Sequence, residues 1–153
     1  MPRLSQSDFE RLLQLRTGLR RFLRWSERQC EAVGVTPAQH QLLLAIRGHS
    51  DPAGPTVGET ADYLVLRHHS AVGLIDRAEA AGLVERVADP ASGTVVRVAL
   101  TPAGEAKLDL LAESHREELS HLGPTMRALW QALERGAVPH PAAPPATEAA
   151  AGS

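Results

Sequence analysis

The apolar period along this chain first changes at Gly82. Upstream, apolar residues recur three and four apart: Phe9, Leu12, Leu13, Leu19, Phe22 and Leu23 in one run, Leu42, Leu43 and Ile46 in another. Downstream, "LVERVA" and "VVRVAL" are β-rich, and Val96, Val98 and Leu100 alternate with Val95, Arg97 and Ala99. Spacing of three and four puts side chains on one stripe of a helix, whereas alternation puts them on one face of a sheet. Helical spacing returns after Thr101. The chain is therefore predicted to be mainly α, with a single β-hairpin turned by "DPASGT".

The helix boundaries carry their own signals. Ser7-Asp8-Phe9-Glu10 reads as a capping box that starts a long first helix ending near Ala32, before Gly34. Thr36-Pro37-Ala38-Gln39 combines an N-cap Thr, Pro at the first turn and Gln three residues on, and opens a second helix that ends at Gly48. Thr56 to Glu59 repeats the box for a short third helix to about Leu64. A fourth helix starts at His68 or His69 and ends at Gly82. Thr101-Pro102 announces a fifth, which Gly123-Pro124 is expected to break near Leu122. A sixth then carries Met126, Leu129, Trp130 and Leu133 and stops at Gly136. From Ala137 the chain is Ala/Pro-rich with little to bury, and is predicted to be disordered.

Composition narrows the function. Hydrophobic residues make up 43% of the 153 but aromatics only 3%, so the core is built from Leu, Val and Ala. No run is long enough to span a membrane, and "MPRLSQSDFERLL" is no signal peptide, because charges interrupt it. One cysteine, Cys30, excludes an intrachain disulfide and fits a cytoplasmic setting. The net charge is −2, so a polyanion would have to be met by local placement of charge. Residues 1–55 hold eight Arg against five acids, whereas 56–101 hold four Arg against six acids. There is no Gly-rich phosphate loop, no Gly-x-Ser-x-Gly and no ordered Cys/His pair, so neither an enzyme nor a cofactor is indicated.

Two short helices, a longer one and a hairpin make a winged helix-turn-helix. The end helices have apolar faces too large for one small domain, which points to burial against a second copy. The expected organisation is a dimerisation helix over 1–34, a winged helix-turn-helix over 35–101, C-terminal dimerisation helices over 102–136 and a tail over 137–153.

The set "GVTPAQHQLLLAI", "TVGETADYLVLRHHSAVGLIDRAEAAGLVER" and "VRVALTPAGEAKL" resembles the MarR family of winged-helix regulators over roughly residues 8–135. Asp76-Arg77, Gly82-Leu83-Val84 and Leu100-Thr101-Pro102-Ala103-Gly104 fall at that family's usual separations. The resemblance implies a homodimer on a pseudo-palindromic, double-stranded DNA operator, acting as a repressor that a small molecule releases. Members commonly carry arginines at the wing tip. Here the matching stretch is Ser92-Gly93-Thr94, with no cation, so the alternative is a winged-helix dimer that has lost DNA affinity and serves protein interaction.

On the fourth helix, Ala71, Leu74, Ile75 and Ala78 share the inner face. His69, Val72, Gly73 and Asp76 lie opposite, with Ser70 and Arg77 at the edge. Arg67 and His68 sit at the helix start, where a groove-docked helix meets phosphates and base edges. The candidate DNA contacts are Thr56, Arg67, His68, His69, Ser70, Val72, Gly73, Arg77, Arg86, Thr94 and Arg97. As a metal pair His68-His69 is badly spaced, since adjacent helical residues point about 100° apart. Zinc would need His40, His49 or Asp51 as well, and no spacing recommends them. Without the wing arginine, Asp76 is expected to pair with Arg86 or Arg97.

Arg16, Arg20, Arg24 and Arg28 form a stripe four apart. It reads as a solvated face, as partners for Glu113 and Glu117, or as an anion site near Trp25. The last makes Arg24 and Trp25 candidate contacts for an anionic or aromatic effector, in the region where related proteins bind theirs. Cys30 near Arg28 admits a lowered thiol pKa and redox sensing, against the commoner inert role.

Overall fold

The computed structural model describes residues 3–136. Seven elements follow in order: α1 (Gln6–Ala32), α2 (Pro37–Gly48), α3 (Val57–Leu64), α4 (His68–Ala80), β1 (Val84–Ala88), β2 (Val96–Leu100) and α5 (Pro102–Gly136). The strands pair antiparallel, with Val84 opposite Leu100 and Ala88 opposite Val96. The expected tail over 137–153 lies outside the described residues.

The caps explain most boundaries. Both capping boxes form: Thr36 with Gln39, and Thr56 with Glu59, each hydroxyl accepting from the N3 backbone while the N3 side chain accepts from the cap's N–H. Gly34 and Gly82 take positive φ where α1 and α4 end. At the first helix the box sits two residues earlier than expected. The Ser5 hydroxyl accepts from the Asp8 N–H (3.2 Å) and the Asp8 carboxylate accepts from the Ser5 N–H (2.9 Å). Two frames overlap here, and the Ser-x-x-Asp frame wins because Asp8 also holds Arg11 at 3.3 Å.

The expected break at Gly123-Pro124 does not occur. α5 runs through Pro124 for 35 residues, so among the described residues the expected fifth and sixth helices are one. A proline inside a helix forfeits one backbone hydrogen bond and costs about 3 kcal/mol or more in isolation. Apolar residues continue at helical spacing on both sides, and Met126 packs against Gly18, whose missing side chain leaves room: a Cβ there would lie 3.0 Å from the Met126 sulfur. Packing of the flanking turns, not the local sequence, decides continuity.

The chain forms two compact units, Arg20–His121 and one built from the two chain ends, up to Leu19 and from Leu122. The core of the first joins Leu42, Leu43 and Ile46 of α2, Leu74, Ile75 and Ala78 of α4, Leu83, Val84 and Val98 of the wing, and Leu108 of α5. Two glycines let backbones meet in it. A Cβ on Gly104 would lie 2.0 Å from the Leu83 carbonyl oxygen, and one on Gly54, already at φ +88°, 2.2 Å from that of Val98. Thr101 ties the same corner: its N–H donates to the Leu83 carbonyl (3.1 Å) and its hydroxyl to that of Gly82 (2.6 Å). The Gly82-Leu83 and Thr101-Gly104 stretches are thus two sides of one joint between wing and α5. The end unit exposes apolar side chains: Phe9, Leu12, Leu13, Leu19 and Trp130 are each more than a third exposed.

Candidate nucleic-acid interface

α4 stands with its inner face sealed and its N-terminal end open. Ala71, Leu74, Ile75 and Ala78 are buried, as the spacing requires. Arg67, His68, His69 and Arg77 are exposed, and Ser70, Val72 and Gly73 half-buried. Arg67 occupies the N-cap position without a side-chain bond to the helix, which leaves the first-turn N–H groups of α4 without a side-chain cap from it. Among the described residues none of Arg67, His68, His69 and Arg77 enters an ion pair. The Arg77 guanidinium reaches back over Gly73, where a Cβ would meet it at 3.3 Å. The α3–α4 turn passes through Val65 at φ 53°, ψ 45°, a left-handed conformation that β-branched residues rarely adopt. Val65 is 91% exposed, so no packing contact compensates that strain.

The remaining candidates are occupied. The Thr56 hydroxyl caps α3, and its backbone bridges to Arg97. Arg86 donates to Asp76 at 2.6 Å and to Glu79 at 3.2 Å, the first of these being one of the two expected pairings. Arg97 donates to Asp89 and, at 2.7 Å, to the Gly54 carbonyl, with Asp51 3.7 Å away. Asp89 also accepts from the N–H groups of Ala91 (2.7 Å) and Ser92 (3.2 Å), which folds the wing turn. The Arg97 hydrogen bond, then these backbone donors, hold the Asp89 carboxyl below its ordinary range, and the same partnership raises Arg97. Arg97 is thus a strut that fixes the wing to the loop before α3, not a free cation aimed at a phosphate. Thr94 is exposed at the tip, 3.1 Å from the Ser92 hydroxyl. Asp89 as organiser of the wing was missed in the sequence, although Asp-Pro-x-Ser is a turn signal.

A second feature lies on the other side of α2. A cavity of about 540 Å³ is lined by α1, α2 and α5, with Phe22, Leu23, Leu44 and Leu108 as its apolar walls. Its polar groups are Ser26, His40, Gln41, His115 and Arg116. The His115 Nδ1 donates to the Leu111 carbonyl (2.7 Å), which leaves Nε2 to accept from the Ser26 hydroxyl (2.7 Å). His40 lies against it, ring centroids 4.7 Å apart, with a buried Nδ1 that has no partner. Burial, and then neighbouring His115, push His40 below the ordinary imidazole range. Of the two candidate effector contacts, Trp25 packs edge-on to His115 at 4.9 Å but does not line the cavity. Arg24 is exposed and paired with Glu27 at 3.2 Å, outside the cavity. Burial pushes the Cys30 thiol up, opposite to the shift a peroxide-sensing thiolate needs.

Residues 33–93, from the end of α1 to the wing turn, match the family model described as MarR family. The matched stretch is the helix-turn-helix with the first wing strand and the wing turn. A relative, the uncharacterised HTH-type transcriptional regulator YsmB of Bacillus subtilis, is 39% identical over 85 residues, 56% of each chain. The match thus spans just over half of that relative's length. Among solved structures, a MarR family protein from Bacillus stearothermophilus superposes with a TM-score of 0.68 at 22% identity, covering 87% of this chain and 95% of that one. A cysteine-to-serine mutant of MarR from E. coli, complexed with operator DNA, gives 0.62 at 24%, covering 82% and 91%. At those identities the likeness is one of fold: a helical protein with a two-stranded wing.

Proposed function

We propose that this chain is a MarR-family regulator: a homodimeric, sequence-specific DNA-binding transcription regulator of the cytoplasm, and a repressor that lets go of its operator when a small molecule occupies the α1–α2–α5 cavity. One observation carries the reading. The start of α4 presents Arg67, His68 and His69 to solvent with no internal partner, on a helix whose opposite face is wholly buried. Such an end suits a major groove, where cations position the helix on phosphates and the next turn reads base edges. The exposed apolar side chains of the end unit are what a second copy would cover, placing two α4 helices about 34–36 Å apart on successive grooves.

The cation-free wing tip, with Arg86 and Arg97 paired internally, favours the second reading, a dimer that binds proteins. Selection from genomic fragments, followed by salt titration of the selected site, separates the two. Regulation predicts saturable binding with a log–log salt slope of about 0.9 per phosphate neutralised, so Arg67→Ala makes the slope shallower by about two per dimer. Failure to enrich any fragment supports the protein-interaction reading. A monomeric mass in sedimentation at micromolar concentration removes the dimer.

A further inference from the structure

The chain's one tyrosine stands at the end of a hydrogen-bonded relay. The Tyr63 hydroxyl, on α3, lies 2.8 Å from Nδ1 of His49, the residue that caps the C-terminus of α2. Nε2 of the same ring lies 3.1 Å from the carboxylate of Glu59, one turn earlier on α3. A carboxylate only accepts, so Nε2 carries a hydrogen, and in the neutral ring Nδ1 accepts from the phenol. Glu59 is itself held, because its other oxygen accepts from the Thr56 N–H (3.4 Å) in the capping box of α3. The His49 side chain is only 7% exposed, whereas Tyr63 is 53% exposed. The base is thus shielded from water, and the tyrosine it serves is open to solvent. A hydroxyl with a base in hydrogen-bond reach, and a base oriented by a third group, is the arrangement that activates a weak oxygen nucleophile.

Beside the phenol, a groove of about 240 Å³ runs between α2 and α3, lined by Gln41, Leu44, Ala45, Gly48, Tyr63 and Leu64. Among the described residues that line it, none is charged. It shares Gln41 and Leu44 with the α1–α2–α5 cavity, but Tyr63, His49 and Glu59 all lie outside that cavity. We infer that Tyr63 is an acyl-acceptor site: its hydroxyl, with His49 as base and Glu59 as positioning residue, takes an uncharged, apolar acyl group from an activated ester whose acyl part seats in the α2–α3 groove. The Tyr63 oxygen bonds to the acyl carbon as its proton passes to His49 Nδ1. The ring is then an imidazolium that donates to Glu59 from Nε2, and the carboxylate offsets its charge. The bond from the acyl carbon to the leaving oxygen breaks, and the leaving group keeps that electron pair and takes the proton from Nδ1. The products are a Tyr63 ester and a free alcohol or phenol, with nothing oxidised or reduced. The ester has no hydrogen to give His49, so acylation removes the bond that ties α3 to the cap of α2. The step requires neither DNA nor an occupied effector cavity.

The experiment treats the full chain with p-nitrophenyl butyrate near neutral pH, quenches with acid and maps butyrylated peptides by mass spectrometry. The adduct is the readout, since the exposed His68, His69 and His121 also consume such esters. Tyr63 should be butyrylated about a hundredfold faster, or more, than N-acetyltyrosinamide in the same solution, as a positioned base provides. The mono-p-nitrophenyl ester of glutaric acid, whose acyl part is charged, should acylate Tyr63 more slowly by about tenfold or more. Glu59→Gln keeps the capping box, because Gln serves at N3 as Glu does, and its circular dichroism spectrum should match the parent's. It should nevertheless slow acylation by about tenfold or more, having lost the charge that steadies the imidazolium. His49→Gln should bring Tyr63 down to the rate of the free amide; the parent chain and Glu59→Gln decide the matter even if that variant fails to fold. Tyr63 acylated no faster than the free amide, a charged acyl group accepted as readily as butyryl, or a Glu59→Gln chain that reacts like the parent overturns the inference.

Discussion

Gly104 offers the sharpest test of how this fold is assembled. It is the third residue of α5, where a helix ordinarily gains up to about 1 kcal/mol from alanine in place of glycine. Here the added carbon would lie 2.0 Å from the Leu83 carbonyl oxygen and 2.9 Å from its carbon. Neither is a flexible side-chain end, so relief means moving α5 off the wing by roughly 1 Å or more to regain ordinary contact distances. That movement strains the Thr101 N–H to Leu83 bond (3.1 Å) and the Thr101 hydroxyl to Gly82 bond (2.6 Å). Overpacking of this kind costs about 1–3 kcal/mol, and a weakened hydrogen bond about 1 kcal/mol. Net of helix propensity, Gly104→Ala should destabilise by about 1–3 kcal/mol. Gly58, inside α3, is the control: its added carbon meets nothing closer than the Thr56 hydroxyl at 3.9 Å, so Gly58→Ala should stabilise by up to about 1 kcal/mol. Urea unfolding followed by circular dichroism, at fixed protomer concentration, reads both. A Gly104→Ala protein as stable as the parent would refute the close approach of wing and α5.

Val65→Gly should relieve a left-handed strain of about 1–2 kcal/mol, less glycine's own entropic cost, leaving a gain of about 0.5–1 kcal/mol in the same assay. A loss of stability would mean that Val65 has a contact that its exposure conceals. In the wing, the depressed Asp89 carboxyl contributes stability that is complete above the unfolded-state value near pH 4 and is lost as pH falls through its lower folded value. The urea midpoint should therefore hold between about pH 5 and 7 with respect to this group and fall in stronger acid. Arg97→Gln should shrink that acid step, and an unchanged step would assign it to another carboxylate.

The elements were legible in the sequence because each carries a local signal that tertiary packing merely has to respect. Thr36, Thr56 and Thr101 mark starts, Gly34 and Gly82 mark stops, and the alternation of Val96, Val98 and Leu100 marks a strand. Pro124 misled because its signal is equally local but opposed, and contact between Met126 and Gly18 outweighs it from 108 positions away in the chain. The exposed N-terminal end of α4 was legible for the same reason as its core face: both follow from helical spacing. The cavity was not. His40 and His115 are 75 residues apart, and no periodicity links them. What the sequence did offer was a histidine two positions from Leu42 in a helix that also carries Gln39, Gln41 and Arg47, a pattern shared by many satisfied core histidines.

The arginines of the segment 56–101 divide into two kinds, and the division shapes how DNA would be held. Arg86 and Arg97 are matched to Asp76, Glu79 and Asp89, so they cancel acids that would otherwise face a phosphate backbone. Arg67 and Arg77 remain unpaired among the described residues. On the proposed reading, then, each half-site is gripped by Arg67, His68 and His69 at the start of α4 and by Arg77 in its last turn, without an arginine in the minor groove. Such a grip has little sequence-independent affinity in reserve. Specific binding must then come from both α4 helices meeting their half-sites at once, where the second helix gains from the high effective concentration created by the first. That dependence makes spacing the natural target of an effector. α2 forms one wall of the cavity through His40, Gln41 and Leu44, and its Leu42, Leu43 and Ile46 pack in the same core as Leu74, Ile75 and Ala78 of α4. On that reading, a ligand that shifts α2 would shift α4 through this shared core, and a small change in spacing would leave a dimer holding one half-site instead of two.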